Sequence, residues 1–473
     1  MMSEPVQISR ERIASDFQRP IYHFLPPSNW MNDPNGFIQW QGQYHLFYQY
    51  NPFGAVWGNM HWGHATSRDL IHWQDHPIAL APTPGGPDEA GCFSGCAVDV
   101  DGTPMLFYTG ARGERHDTQT QCRAISRDGL MTWEKDLRNP ILHRVPDLSG
   151  QQADFRDPFV WKQGDAWYMV VGSRVEDVGG AVFLYRSDDL VTWTYLHPLL
   201  IGDRERTGLV WECPNFFPLD DHRWVLIVSA HTGSATGTVF YFVGDYVDHQ
   251  FTPAVQGVLD HASLYAPLTT LDDAGRRLLI GWIREERPDS ALTAAGWAGA
   301  QSIPRVLSLD SGSRLLMTPV SELGAIRGRH SRLAARPLDG EATLEVSGRA
   351  LDLDAEFVPE RDGTCGISVV CSMDGGERTD VFYDAAQETL TVRTVIDGAA
   401  PTVRVVPHAL DAGEHLRLRL LLDGSVLEII ANQRTSLTHR VYSGDAAHQG
   451  VRVVGRQARL NALDIWEMPS IWR

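Results

Sequence analysis

The chain has 473 residues, of which 43% are apolar, so it has enough material for the cores of two ordinary domains. Its formal net charge of -18 at pH 7 repels phosphate backbones and anionic lipid headgroups, which makes nucleic acids and membrane surfaces poor partners. A neutral or cationic small molecule is therefore the expected ligand.

The N-terminal stretch up to Phe17 mixes acids and bases and lacks the apolar segment of a secretory signal. No apolar run in the chain reaches the length of a membrane span. The six cysteines are sparse and sit mostly beside apolar or small residues, as buried free thiols do. Together these features predict a reduced protein in the cytoplasm.

Five stretches of the first part of the chain share an apolar run, a short polar turn and a second apolar run. This pattern predicts a β-hairpin in each stretch. The hairpins repeat at intervals of about sixty residues, a period typical of repeated structural units. The predicted turns lie near Gly42, Gly102, Gly164, Asp221 and Gly275.

A second marker repeats in phase with the hairpins, as SRDLIHW, SRDGLMTW and RSDDLVTW around Asp69, Asp128 and Asp189. Two independent markers with one long period, rich in strands and without helical periodicity, indicate the blades of a β-propeller. We therefore predict an all-β chain in which residues 1–320 form a five-bladed β-propeller.

The rest of the chain lacks both markers. Residues 321–341 have helical character and are predicted to be a linker. Residues 342–473 return to short strands with Asp-Gly turns, which predicts a separate antiparallel β-sandwich.

Three acids, Asp33, Asp157 and Glu212, precede the hairpin turns of predicted blades one, three and four at similar distances. The innermost strand of each propeller blade lines the central channel, so equivalent positions of different blades should meet at one end of it. Any one of these acids alone would be interpreted as a turn residue bound by backbone amides. Three acids in the same part of the repeat indicate a shared site.

The surroundings of the three acids also agree, because WMNDPNGF, FRDPFV and WECPNFF each place an acid just before Pro with aromatic residues nearby. Such surroundings remove water from an ionised carboxyl group, and Arg156 beside Asp157 is a candidate partner for its charge. Clustered carboxylates suit glycoside cleavage, in which one attacks the anomeric carbon and another protonates the leaving oxygen.

With WMNDPNG, FRDP and WECP in this order and spacing, the chain resembles glycoside hydrolase family 32, the β-fructofuranosidases, over nearly its whole length. The resemblance implies a five-bladed propeller joined to a C-terminal β-sandwich. It also implies that Asp33 is the nucleophile of a retaining reaction and that Glu212 is the general acid and base. Asp157, with Arg156, would hold fructose hydroxyls and stabilise the transition state.

The resemblance further implies a pocket for the fructose ring. Two departures from the family pattern concern substrate preference: Cys96 stands where SGSAV is common, and Leu268 follows YAP where Gln is frequent. The implied pocket residues besides the three acids are Asn32, Gln49, Trp57, Phe93, Ser94, Arg156, Tyr265 and Trp282.

The expected activity is release of fructose from terminal non-reducing β-D-fructofuranosyl residues, with sucrose as the leading substrate. An exo-levanase or exo-inulinase, a fructosyltransferase and a non-catalytic carbohydrate-binding propeller are the alternatives. A requirement for a 6-phosphate and the oligomeric state stay open. No metal is expected, because His61 and His64 lack the rest of a zinc-site pattern. No cofactor is expected, because no phosphate-cradling glycine loop precedes a helix.

Overall fold

The computed structural model describes residues 13–147, 151–232 and 236–472. Residues 1–12 lie outside the described residues, and they include most of the N-terminal stretch that lacks the apolar segment of a secretory signal. The chain divides into two compact units. Unit one contains residues 24–260 and 264–320, and unit two contains residues 14–23, 261–263 and those from 321 onward. No helix within the described part of the chain has the length and apolar character needed to cross a membrane.

Unit one is a β-propeller of five antiparallel sheets, as the sixty-residue repeat predicts. Blades one to four use consecutive groups of four strands, and blade five uses β17, β18, β21 and β22. The strands are β1 (Asn29–Trp40), β2 (Gln43–Asn51), β3 (His61–Ser67), β4 (Trp73–Leu80), β5 (Gly91–Val100), β6 (Thr103–Arg112), β7 (Thr118–Ile125), β8 (Glu134–Lys135), β9 (Arg156–Gln163), β10 (Ala166–Val175), β11 (Gly179–Ser187), β12 (Thr194–Ile201), β13 (Val210–Pro218), β14 (Trp224–His231), β15 (Thr236–Val247), β16 (Gln250–Asp260), β17 (Leu264–Leu271), β18 (Arg277–Ile283), β19 (Trp297–Ala298), β20 (Ala300–Gln301), β21 (Arg305–Leu309) and β22 (Leu315–Pro319).

The innermost strands form a closed ring. Strands β1, β5, β9, β13 and β17 each contact the next in this order, and β17 contacts β1. The short strand β19 also pairs in parallel with β1, through Asn29 opposite Trp297. The predicted five-bladed propeller is confirmed, and its ring brings one end of all five inner strands together.

Helices are short throughout the described residues of unit one. They are a 3₁₀ helix at Gln152–Asp154 and α-helices at Arg204–Thr207 and Asp289–Ala295. The side chain of Asp203 caps the second of these by accepting hydrogen bonds from the backbone of Glu205 and Arg206.

The second sequence marker forms the turn between the third and fourth strands of a blade. In blade one, Oδ1 of Asp69 accepts hydrogen bonds from the backbone N–H groups of Ile71 and His72. These bonds stabilise a turn in which Leu70 has a φ of 66° and is buried. Asp128 and Asp189 accept equivalent backbone hydrogen bonds in blades two and three. The repeat in the sequence is thus a repeated, aspartate-stabilised turn.

Unit two is built on nine strands connected in one curled sheet around its own apolar core. The long strands β24 and β31 pair with each other along most of their length, with bulges where they bend. The strands are β23 (His330–Ser347), β24 (Ala350–Cys371), β25 (Arg378–Asp384), β26 (Thr389–Val395), β27 (Thr402–Pro407), β28 (Leu416–Asp423), β29 (Val426–Ala431), β30 (Thr435–Arg440) and β31 (Gly450–Glu467).

The segment expected to be a linker differs from its prediction. A 3₁₀ helix at Ser321–Ile326 accounts for its helical character, but β23 begins at His330, well before residue 342. Strand β23 has few buried residues and pairs along β31. Because its apolar side chains do not alternate regularly, the period-2 signal of a strand is weak there.

Two short segments before residue 320 belong to unit two. The backbone N–H groups of Ile21, Tyr22 and His23 all donate to the carboxylate of Asp423. The backbone at residues 261 and 263 donates to β30. These bonds join residues far apart in the chain, so the pattern of local apolar runs does not predict them.

Candidate active site

Each innermost strand carries a β-bulge near the same end of the ring. In β9 the pairing with β10 jumps from Arg156 to Phe159, and in β13 and β17 it jumps after Glu212 and Tyr265. Strands β1 and β5 are interrupted in the same region. A bulge bends the strand, redirects its side chains and leaves backbone N–H groups out of the ladder. Proline, which has no N–H, is therefore accommodated just after the acids.

The bulges also set the order of the acids. Glu212 is the last paired residue before the bulge of blade four, whereas Asp157 is the first residue inside the bulge of blade three. In blade one, Asn32 and then Asp33 lie inside the bulge. The three acids thus occupy successive positions of one repeated feature, rather than one identical position.

These bulges surround a cavity of about 270 Å³. The structure brings every residue of the predicted site to this cavity and adds His116 and Thr236. The lining residues are Asn32, Asp33, Gln49, Trp57, Phe93, Ser94, His116, Arg156, Asp157, Glu212, Thr236, Tyr265 and Trp282.

Asp33 receives hydrogen bonds on both carboxylate oxygens. The hydroxyl of Ser94 donates to Oδ2 at 2.6 Å, and the amide of Asn32 donates to Oδ1 at 3.1 Å. Gln49 holds Ser94 in place through a contact of 3.2 Å between its amide and the Ser94 hydroxyl. Burial raises the pKa of Asp33 to about 6, and the charge of Glu212 raises it further. The hydrogen bonds from Ser94 and Asn32 lower this pKa but do not outweigh the rise.

Asp157 is buried and held by backbone contacts. Its Oδ2 accepts the N–H of Cys213 at 2.9 Å, and its own N–H donates to the hydroxyl of Thr109 at 2.8 Å. Its backbone has a φ of 62°, which fits its place inside a bulge. Burial raises the pKa of Asp157 to about 7, although the Arg156 charge opposes this rise.

Glu212 has the strongest partners of the three acids. The guanidinium of Arg156 donates to Oε1 at 2.8 and 3.1 Å, and the hydroxyl of Tyr265 lies 2.5 Å from Oε2. Burial raises the pKa of Glu212, but the charge of Arg156 and these hydrogen bonds outweigh it, so its pKa is below the usual value.

The hydrogen bonds of Arg156 differ from the sequence-based expectation. Its side chain bonds to Glu212, to the side-chain amide of Gln119 at 3.0 Å and to the carbonyl of Ala153 at 2.7 Å. Its neighbour Asp157 instead bonds to the backbone of Cys213. Successive residues of a strand point in different directions, so adjacency in the sequence is a poor guide to pairing.

Aromatic side chains wall the cavity above the acids. Trp282 packs against Trp30 with ring centroids 5.8 Å apart and against Tyr265 at 6.5 Å. The indole N–H of Trp30 donates to Asn32 at 2.7 Å and so fixes the orientation of that amide. On the open side, Trp57 exposes 49% of its surface. Flat aromatic faces beside carboxylates and amides are suited to the apolar and polar sides of a sugar.

Comparison with known proteins identifies the family. Residues 23–319 match the description "Glycosyl hydrolases family 32 N-terminal domain", and residues 322–467 match "Glycosyl hydrolases family 32 C terminal". The chain belongs to glycosyl hydrolase family 32. It is therefore a glycosidase, and this excludes the alternative of a non-catalytic carbohydrate-binding propeller.

Individual members of family 32 are similar over most of their length. A sucrose-6-phosphate hydrolase of Zymomonas mobilis is 36% identical over 446 residues, which cover 89% of this chain and 85% of the relative. A beta-fructofuranosidase, insoluble isoenzyme 1, of Oryza sativa subsp. indica is 34% identical, covering 96% and 91%. Fructan 1-exohydrolase IIa of Cichorium intybus superposes with a TM-score of 0.85 at 27% identity, covering 98% of each chain.

This family 32 site holds more negative than positive charge. The described lining residues include three carboxylates and one guanidinium, so full ionisation would leave an excess negative charge in a poorly hydrated cavity. The raised pKa values of Asp33 and Asp157 favour retention of a proton on these two groups, whereas the lowered pKa of Glu212 favours its ionised form. A site that both retains a proton and holds an ionised carboxylate can perform acid and nucleophilic chemistry together.

Three contributors to this glycosidase site are absent from the sequence-based prediction. His116 and Thr236 line the cavity, and Gln119 bonds to Arg156 behind it. His116 lies in the connection between β6 and β7. Gln119 is the second residue of β7, and Thr236 is the first residue of β15. None of them belongs to an acid-proline motif, so only their position in the ring marks them.

Proposed function

We propose that the chain is a retaining β-fructofuranosidase that releases fructose from terminal non-reducing β-D-fructofuranosyl residues. The observation that carries the proposal is the convergence of Asp33, Asp157 and Glu212 on one cavity with different partners. Different partners shift the pKa values of the three carboxyl groups in different directions, and a two-carboxylate glycosidase mechanism needs one protonated and one ionised carboxyl group.

In this proposal, Asp33 is the nucleophile. Its Oδ2 attacks the anomeric carbon of the fructosyl group, while Ser94 and Asn32 keep the carboxylate oriented by hydrogen bonds. The covalent fructosyl intermediate is then hydrolysed by water, and the two displacements together retain the configuration of the anomeric carbon.

Glu212 is proposed to protonate the leaving oxygen and then to activate the water. The charge of Arg156 lowers the pKa of Glu212, whereas burial raises the pKa values of Asp33 and Asp157. Acid catalysis therefore requires that the shared proton move to Glu212 when a sugar fills the cavity. Asp157 lies between the other two acids in the order of the bulges and is proposed to hold fructose hydroxyls and stabilise positive charge on the ring.

Sucrose is the proposed leading substrate. The named relatives include sucrose-6-phosphate hydrolases and β-fructofuranosidases, and the family 32 beta-fructofuranosidase of Bombyx mori has been solved in mutant form in complex with sucrose. We also propose a cytoplasmic location, supported by six cysteines that are all unpaired thiols, as in a reducing compartment.

Action on fructans is the second candidate. A levanase of Bacillus subtilis is 32% identical and covers 96% of this chain, and fructan 1-exohydrolase IIa has the same fold. The three acids would serve either substrate, because each contains a terminal fructosyl group. The two candidates differ only in what lies beyond the cleaved bond.

The proposal is tested by incubating the purified chain with sucrose, sucrose 6-phosphate, raffinose, inulin and levan. Equal release of glucose and fructose from sucrose supports hydrolysis, whereas oligosaccharides at high sucrose indicate transfer, and faster release from inulin or levan supports the fructan candidate. Absence of fructose from every substrate would refute the proposal. Rapid NMR of the sucrose reaction should show β-fructofuranose first, because the reaction retains configuration.

A further inference from the structure

Three aromatic rings form the outer wall of the cavity, and we call them the rim cluster: Trp57, Phe93 and His116. The imidazole centroid of His116 lies 5.4 Å from the ring of Trp57 and 5.3 Å from that of Phe93. Trp57 is half exposed, whereas the acids lie deeper. A sugar whose fructosyl group reaches the acids therefore has its leaving group beside the rim cluster.

The backbone that carries His116 is fixed. Its N–H donates to the carbonyl of Gly113 at 3.0 Å, and its φ of 55° belongs to a tight turn. The side-chain amide of Gln119 donates to the carbonyl of His116 at 3.2 Å and accepts from Arg156 at 3.0 Å.

Arg156 in turn holds Glu212, so a continuous series of hydrogen bonds joins the His116 turn to the proposed proton donor. The proton donor stands beside the oxygen of the leaving group. The series therefore connects the turn that carries His116 to the group proposed to protonate the leaving oxygen.

The imidazole has one hydrogen-bonding position to offer a ligand. Burial lowers the pKa of His116, so the ring is neutral near pH 7 and only one of its two nitrogens carries a proton. When one nitrogen of a neutral imidazole donates, the other is an acceptor. Such a nitrogen accepts a hydrogen bond from a sugar hydroxyl but repels the oxygens of a phosphate.

The cavity lining supplies little to bind a phosphate. Among the described lining residues, Arg156 is the only Lys or Arg, and its side chain already bonds to Glu212, Gln119 and Ala153.

We propose that His116 is a specificity-determining residue that recognises an uncharged leaving sugar, by accepting a hydrogen bond from one of its unmodified hydroxyls while Trp57 and Phe93 pack against its apolar faces. The inference rests on the proposed function, since it concerns the leaving group of that same reaction.

The test compares sucrose with methyl β-D-fructofuranoside, which has the same fructosyl group but no leaving sugar. His116→Phe keeps a ring in the rim cluster and removes both nitrogens. We expect kcat/KM for sucrose to fall about tenfold and that for the methyl fructoside to stay within about twofold, as for loss of one hydrogen bond to the leaving group. His116→Asn, which restores an acceptor, should recover part of the loss on sucrose.

Arg115→Ala is the matched control, because Arg115 is exposed on the same loop and does not line the cavity. It should leave both kcat/KM values unchanged. An equal loss on both substrates in His116→Phe, or no loss on sucrose, would overturn the assignment of His116.

Sucrose 6-phosphate tests the preference for an uncharged leaving sugar. The wild-type chain should have a lower kcat/KM for it than for sucrose, and an equal or higher value would overturn that preference. If the wild-type chain releases fructose from no fructoside, the proposed function fails, and the inference fails with it. If fructose is released but the variants behave otherwise than described, the inference alone fails.

Discussion

Two clusters of buried ionisable groups show how the same residue types serve different purposes. In unit one, Asp33, Asp157 and Glu212 face a cavity whose described lining holds one guanidinium, that of Arg156, which bonds to Glu212. In unit two, His23 is fully buried, with Nδ1 2.8 Å from Asp423 and Nε2 2.9 Å from Glu428.

The difference lies in how completely the charges are satisfied. Both ring nitrogens of His23 have a carboxylate partner, and Asp423 also accepts three backbone N–H groups. Burial lowers the pKa of His23, but its two partners raise it more strongly, to about 9. The cluster in unit two is fully buried and structural, whereas the acids of unit one line a cavity that a substrate can enter.

The largest expected effect is on catalysis. Asp33→Asn and Glu212→Gln should each lower kcat for sucrose by about a thousandfold or more, because each removes a group that we propose enters the bond changes. Circular dichroism should show that both variants keep the fold, since each substitution is nearly isosteric. Normal turnover by Asp33→Asn would contradict its role as the nucleophile.

A substitution in the buried cluster of His23, Asp423 and Glu428 should lower the stability of the protein rather than its activity. His23→Ala leaves two buried carboxylates without their shared partner and should lower the free energy of unfolding by roughly 3 kcal/mol, measured by denaturant titration at pH 6. The exposed pair of His72 and Asp69 offers a matched control, and His72→Ala should cost no more than about 0.5 kcal/mol.

The loss in unfolding free energy caused by His23→Ala should also depend on pH in a definite direction. The folded-state pKa of His23 lies above its ordinary value of 6.5, so its stabilisation is complete below 6.5 and is lost as the pH rises through about 9. The difference between wild type and His23→Ala should therefore shrink between these pH values. A difference that grew with pH would contradict the assigned charge of His23.

A smaller effect is expected when Arg156, the cation beside the three acids of the cavity, is replaced. Arg156→Gln should raise the pKa of Glu212, because the charge of Arg156 is what lowers it. The alkaline limb of the kcat/KM profile should then move to higher pH, with a lower maximum. Arg174→Gln removes a neighbouring arginine that pairs with Asp154 and should leave the limb in place.

The smallest expected effect is a gain in stability. The raised pKa of Asp157 means that the folded state binds a proton which the unfolded state has lost, so stability falls as the pH rises from about 4 to about 7. Asp157→Asn removes this loss and should raise the free energy of unfolding by roughly 1–2 kcal/mol at pH 8, with no gain at pH 4. Equal stability of the two proteins at pH 8 would contradict the pKa shift of Asp157.

Much of the fold could be predicted from the sequence because it is repeated. Alternating apolar runs and glycine turns such as Gly42 and Gly102 depend on neighbouring residues, and five repeats make the pattern stand out. The same period predicts that the acids lie together, although the sequence could not show that they occupy successive positions at the bulges.

Residues that act through long-range contacts could not be predicted in this way. The partner of Arg156 is Glu212 of the next blade, and His116 and Gln119 reach the site from a connection without a motif. The association of His23 with Asp423 spans 400 residues. In each case the tertiary fold, rather than a local pattern, determines the partner.

The most direct test of the whole account is to trap the covalent intermediate. A Glu212→Gln enzyme, incubated with a β-fructofuranoside whose leaving group needs no proton, should accumulate a fructosyl group on the protein, because breakdown of the intermediate lacks its general base. Peptide mass spectrometry should locate that group on Asp33. A fructosyl group on Asp157 or another residue, or turnover that yields α-fructofuranose first with no adduct, would contradict the account.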